Sequence, residues 1–126
     1  MKLLLDTHCL LWLIDDAPKL TVAMRRRIED AEVVYFSPVS IWEIGLKWRA
    51  GKLTALPREV QREAIHNGLV ELLIENEAIF QSCELQQKHP DPFDRLLYAQ
   101  AKHHKLKLLT ADRALIAFGT SVIAKQ

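Results

Sequence analysis

Short apolar runs separated by helical patterns are the feature that most limits how this chain can fold. Residues 2–5, 33–36 and 107–109 are too short for helices and almost uniformly apolar, so each reads as a strand covered on both faces. The β-branched and aromatic run Val33-Val34-Tyr35-Phe36 carries the strongest strand signal. Residues 69–74 and 121–124 read as two further strands. Helical patterns fill the intervals at 7–14, 21–30, 57–66, 76–87, 92–104 and 111–118, and Ser37-Pro38 opens another helix that Gly51 stops. Apolar strands alternating with helices imply an α/β fold with a mainly parallel central sheet flanked by helices.

A chain of 126 residues has room for one such sheet, so 1–126 reads as a single domain. Hydrophobic residues at 49% and charged residues at 26% suffice for a core without disulfides. The formal net charge of +1 gives the whole molecule no bulk attraction for nucleic acid or anionic membrane. The longest uncharged run, 114–124, has 11 residues. A membrane-spanning helix needs about 20. Asp6 interrupts the N-terminal leucines too early for a secretory signal. Cys9 and Cys83, with no CxxC spacing, read as inert buried thiols in a reducing, cytoplasmic setting. Trp48 continues the helical stripe of Ile41, Ile44 and Gly45, and reads as core.

Four acids occupy equivalent places. Asp6 follows the first strand, Glu43 lies early in the helix after the second, Asp94 lies in the first turn of the helix opened by Asp91-Pro92, and Asp112 follows Leu108-Leu109-Thr110. Each has a capping explanation, because acids favour helix N-termini and Ser40-Ile41-Trp42-Glu43 has capping-box spacing. Asp91 reads as a structural N-cap before Pro92. In a parallel sheet, however, strand C-termini gather along one edge, the edge where open α/β folds bind ligands. The four acids then converge whether or not they cap. Converging carboxylates repel, and they are satisfied either by holding protons or by a hard divalent cation such as Mg²⁺ or Mn²⁺. Such sites serve phosphoryl transfer. No zinc-type cluster competes, since adjacent His103 and His104 on a helix point about 100° apart.

Four pieces of sequence in order resemble the PIN-domain metal-dependent ribonucleases, and among them the VapC-type toxins of toxin–antitoxin pairs. They are Leu3-Leu4-Leu5-Asp6-Thr7-His8; Ser37 to Ile44 with Lys47; Asp91-Pro92-Phe93-Asp94-Arg95-Leu96-Leu97 with Ala99-Gln100-Ala101; and Leu109-Thr110-Ala111-Asp112-Arg113. The resemblance implies a three-layer α/β/α domain and Mg²⁺- or Mn²⁺-dependent hydrolysis of RNA. It makes Asp6 and Asp94 the firmest metal ligands, with Glu43 and Asp112 completing the catalytic set. Thr7, Ser40 and Thr110 match hydroxyl positions that orient those carboxylates or cap helices. It further implies an antitoxin partner bound across the cleft and a homodimer, with 10–14 as a contact surface and Trp12 and Trp42 open to partner binding or base stacking.

Lys47 either pairs with Glu43 four residues earlier or binds phosphate, and Arg113 either pairs with a carboxylate or binds phosphate. A PIN nuclease that is not a toxin, or a non-catalytic RNA-binding PIN domain, are the alternatives. A receiver-type signalling domain is disfavoured, because Glu75-Asn76-Glu77 puts no aspartate after the third strand.

Overall fold

The computed structural model describes residues 1–119 and 122–123. In chain order these form β1 (Lys2–Leu5), α1 (Thr7–Ile14), α2 (Val22–Asp30), β2 (Val33–Phe36), α3 (Pro38–Arg49), α4 (Pro57–His66), β3 (Val70–Glu71), α5 (Asn76–Glu84), α6 (Pro92–His103), β4 (Lys107–Leu109), α7 (Arg113–Ile116) and β5 (Val122–Ile123). The described strands pair in parallel in the order β3-β2-β1-β4-β5. The expected α/β class with a parallel, helix-flanked sheet is what forms. The ends of the expected last strand, Ser121 and Ala124, lie outside the described residues.

Alternation along β1 sorts the core into two layers, because successive strand residues face opposite sides. Leu3 and Leu5 join Val34, Phe36 and Leu109 under α1, α2, α3 and α4. Leu4 joins Leu108 on the other face, beneath Leu97 and Tyr98 of α6 and Leu115 of α7. All three β1 leucines are fully buried. Each then contributes about 1.5–3 kcal/mol of transfer free energy, so the central strand is anchored from both sides.

Three elements are shorter than the sequence predicts. Of 69–74, only Val70–Glu71 joins the sheet. Leu72 still donates to Phe36 O at 2.8 Å, but its own carbonyl accepts from Gln100 Nε2 at 3.0 Å, which turns the chain out of the ladder. α5 ends at Glu84 rather than 87, because the Arg95 guanidinium takes the carbonyls of Ser82, Leu85 and Gln87. A cation there also suits the negative end of the helix. α7 starts at Arg113, where Asp112 Oδ1 accepts from Ala114 N at 2.9 Å.

Topology fixes where chemistry can occur. The chain steps outward from β1 to β2 to β3, then returns to lay β4 on the other side of β1. The carboxyl ends of β1 and β4 therefore flank the switch point of the sheet, with Leu5 level with Leu109. Asp6 follows one of them and Thr110 the other.

Candidate active site

Asp6 is the residue at which β1 becomes α1. Its N–H still donates to Leu109 O across the sheet at 3.1 Å, while its Oδ1 accepts from Cys9 N at 2.8 Å as the N-cap. Its Oδ2 accepts from the Thr110 hydroxyl at 2.5 Å, and Thr110 Oγ1 accepts in turn from Asp112 N at 3.0 Å. Only 3% of Asp6 is exposed. Burial pushes its carboxyl above the ordinary value, and the hydrogen bonds from Thr110 and Cys9 oppose that rise.

Glu43 is equally buried and reaches the same floor from α3. Thr7 Oγ1 donates to its Oε1 at 2.6 Å and sits 3.0 Å from Ser40 Oγ. Lys47 Nζ donates to its Oε2 at 2.7 Å, and this contact, opposed by partial burial, raises the lysine above its ordinary value. The cap of α3 is Ser37, whose hydroxyl accepts from Val39 N at 3.0 Å, so Ser40 and Glu43 do not form a capping box. None of Thr7, Ser40 and Thr110 is the N-cap of a helix; Thr7 and Thr110 each donate to an acid, and Ser40 meets the Thr7 hydroxyl. Lys47 takes the pairing role. Glu43 is buried and only Lys47 is partly exposed, so removing the lysine strips the cation from a buried carboxylate. Lys47→Met is accordingly expected to lower the unfolding free energy by about 1–3 kcal/mol, as measured by urea titration.

Asp94 and Asp112 form the rim. Asp91 Oδ1 accepts from Phe93 N at 2.8 Å and caps α6, as expected, which presents Asp94 in the first turn. Burial, then the charges of Asp91 and Asp6, a hydrogen bond shared with Asp112, and Glu43 push the Asp94 carboxyl up to about 8. Burial also acts on Asp112, but hydrogen bonds from His89 and Ala114 and the contact with Asp94 outweigh it and hold its carboxyl low. Asp94 thus keeps a proton at neutral pH while Asp112 is ionised. The cluster is short of positive charge.

His89 completes the rim and was not among the residues the sequence singled out. Its Nδ1 accepts from Asp91 N at 3.0 Å, which leaves the proton on Nε2, 3.0 Å from Asp112 Oδ2 and 3.6 Å from Asp94 Oδ2. One ligand atom from each of His89, Asp94 and Asp112 lies within 4.8 Å of the others. The sequence carries a signal in the run His89-Pro90-Asp91-Pro92, where two prolines fix a rigid turn. Gln100, also missed as a positioning residue, is fully buried and accepts from Ser37 Oγ at 2.5 Å.

A cleft of about 330 Å³ opens over this cluster, lined by Asp6, His8, Trp12, Lys19, Ala111 and Asp112. Arg113 is exposed beside it with no carboxylate partner among the described residues. Trp42 is 62% exposed and packs edge-on against Phe93, with ring centroids 5.1 Å apart.

The profile of the PIN domain matches residues 3–119. The chain belongs to the PIN domain family. Three solved structures share its fold. A chain of a toxin–antitoxin complex from Klebsiella pneumoniae is 18% identical, with a TM-score of 0.69 over 96% of this PIN domain and 95% of that chain. A chain of VapBC2 from Rickettsia felis, bound to a DNA fragment from their promoter, is 14% identical, with a TM-score of 0.69 over 99% and 98%. A chain of FitAcB from Neisseria gonorrhoeae is 20% identical, with a TM-score of 0.62 over 95% of each. No curated protein matches this chain in sequence.

Three expectations are corrected. Cys83 is exposed on α5, although Cys9 is buried; α5 turns only Ala78 fully inward. Trp48 is 45% exposed, because α4 meets the α3 stripe one turn earlier, at Gly45, where Pro57 fills the space a Cβ would approach at 3.6 Å. His103 and His104 do not diverge. His104 is the C-cap, the two rings meet edge to face with centroids 4.8 Å apart, and Glu75 enters from α5 between them. No helix among the described residues is long and apolar enough to cross a membrane.

Proposed function

We propose that this PIN domain is a Mg²⁺- or Mn²⁺-dependent endoribonuclease acting as the toxin of a toxin–antitoxin pair. The observation that carries the reading is the cluster itself: two buried carboxylates oriented by threonine hydroxyls, facing two rim carboxylates that share a proton. That donor set is hard oxygen, and its excess negative charge fits a small divalent cation. Asp6 and Asp94 would hold the ion, with Glu43 and Asp112 contributing directly or through water. A bound Mg²⁺ supplies Lewis acidity to a phosphodiester oxygen and acidifies water.

The chain's own groups do the rest. Thr110 and the Cys9 N–H fix Asp6 in one rotamer, and Thr7 with Lys47 fixes Glu43, so both carboxylates are preorganised. His89 holds Asp112 ionised, which keeps that carboxylate an anionic oxygen donor at the rim. Arg113, free of carboxylate partners among the described residues, and Lys19 on the cleft wall suit the phosphate backbone, and Trp42 suits a stacked base.

The toxin–antitoxin complexes among the structural neighbours support an antitoxin partner, and the reading includes a cytoplasmic homodimer. Within 10–14, Leu10 and Leu11 are buried, so a contact there would use the partly exposed Trp12, Leu13 and Ile14. The test is incubation of purified protein, free of any partner, with labelled cellular RNA. Cleavage is expected with Mg²⁺ or Mn²⁺ and not with EDTA. Undiminished cleavage in EDTA would refute the metal-dependent reading.

A further inference from the structure

At the other end of α6 from Asp94 lies a second constellation with different chemistry. His103 and Asp94 are nine residues apart, about 14 Å along the helix axis. The helix stops there because Lys105 takes a left-handed conformation at φ 58°. Leu106 N then donates to Ala101 O at 2.8 Å and Lys105 N to Lys102 O at 3.2 Å, a Schellman-type stop. That stop leaves His103 in the last turn and His104 at the cap, both facing Glu75 just before α5. His103 Nε2 is 2.6 Å from Glu75 Oε2, and His104 Nε2 is 3.8 Å from the same oxygen. One ligand atom from each of the three lies within 4.8 Å of the others. His104 Nε2 is sealed from solvent yet has no hydrogen-bond partner among the described residues. A buried ring nitrogen left unsatisfied carries a free-energy cost that a ligand would remove.

We propose that Glu75, His103 and His104 form a metal site for Zn²⁺ or a similar borderline divalent ion, separate from the acidic cluster. Two imidazoles and one carboxylate are a familiar donor set for Zn²⁺, which leaves at least one position to water. Ligands about 2.05 Å from a tetrahedral ion stand about 3.3 Å from one another. The contacts of 2.6 and 3.8 Å bracket that spacing, and the two histidine ligand atoms lie within 4.8 Å of each other. Imidazole nitrogen disfavours Mg²⁺, and two imidazoles with one carboxylate bias this site toward Zn²⁺ more strongly than the single imidazole at the rim of the four-carboxylate cluster. Occupancy ties the start of α5 to the end of α6, elements that pack along their lengths.

The test uses the full chain, stripped of metal and held in excess Mg²⁺ to occupy the acidic cluster, with Zn²⁺ as the probe. The wild-type protein is expected to bind one Zn²⁺ and to melt about 10 °C higher at a hundredfold excess over Kd. Asp94→Asn should bind equally well. His104→Gln should weaken binding more than about 100-fold, beyond what loss of an outer-shell partner causes. Glu75→Gln, which can still hydrogen-bond His103 in the apo fold, should do the same, and circular dichroism checks that both variants are folded. Zn²⁺ binding that survives His104→Gln and Glu75→Gln, binding lost in Asp94→Asn, or no binding at all would each overturn the proposal.

Discussion

Asp94→Asn is expected to abolish RNA cleavage and, in the same protein, to raise the melting temperature of the metal-free chain at pH 8. The activity loss should reach about 10³-fold, since Lewis-acid charge stabilisation is worth several kcal/mol and each 1.36 kcal/mol is tenfold. The stability gain follows from the neighbours of Asp94. An ordinary carboxyl titrates near 4 in the unfolded chain. In the folded chain, burial and the Asp91, Asp6 and Glu43 charges push this one up to about 8. The folded state therefore binds the proton more tightly. Its contribution to stability is complete below about pH 4 and is lost as pH rises through about 8. Asparagine has no such proton to lose.

Thermal melts in EDTA should consequently fall for wild type between pH 5 and 8.5 and stay flatter for the variant. Each retained unit of the shift is worth about 1.4 kcal/mol, or about 5 °C for a domain of this size. Mg²⁺ should restore the wild-type loss and leave the variant unmoved. A lower melting temperature for Asp94→Asn at pH 8 would contradict the crowding of carboxylates as the source of the shift.

Gln100→Leu is expected to destabilise the fold sharply without touching the acids. Gln100 is fully buried in α6, accepts from Ser37 Oγ at 2.5 Å and donates to Leu72 O at 3.0 Å. It thereby joins α6 to the end of β2 and to the segment leaving β3. Leucine fills the volume but leaves the buried Ser37 O–H without an acceptor, although its oxygen still accepts from Val39 N, and leaves the part-buried Leu72 carbonyl without this donor. The first costs about 1–3 kcal/mol and the second less, about 2–4 kcal/mol together. Against a typical total of about 5–15 kcal/mol that is severe. The urea midpoint should fall with the slope preserved. A loss under about 0.5 kcal/mol would show that both groups find other partners and that Gln100 is not the link.

The parts of this molecule that were legible in its sequence are those decided by local pattern. β1, β2 and β4 are covered on both faces, so their apolar runs have no competing reading. Asp6 and Asp112 stand out because they follow β1 and β4 closely, and the parallel pairing of those strands brings their carboxyl ends together. Asp94 lies in the first turn of a helix that follows another helix, α5, so strand order alone does not place it. What sequence could not supply depends on a partner from another element. The strand over 69–74 was overextended because Gln100, far along the chain, captures the carbonyl of Leu72. His89 matters because its Nε2 meets Asp112, which lies beyond α6 and β4 in the chain, 3.0 Å away. The angular argument that kept His103 and His104 apart holds for an isolated helix; it fails once Glu75 arrives from α5. Arg95 stands beside Asp94 in sequence yet spends its guanidinium on carbonyls at the end of α5.

The Thr110–Asp6 hydrogen bond spans 104 residues. Its consequence concerns time as well as space. A ribosome adding about 5–20 residues per second makes Asp6 roughly 5–20 s before Thr110. Through that interval β1 lacks β4, half the switch point is missing, and Asp112 does not yet exist. A nascent chain therefore carries no assembled acidic cluster, however well its first helices have formed. The late return of β4 to the centre of the sheet delays the chemistry of this domain until nearly all of its fold has been synthesised.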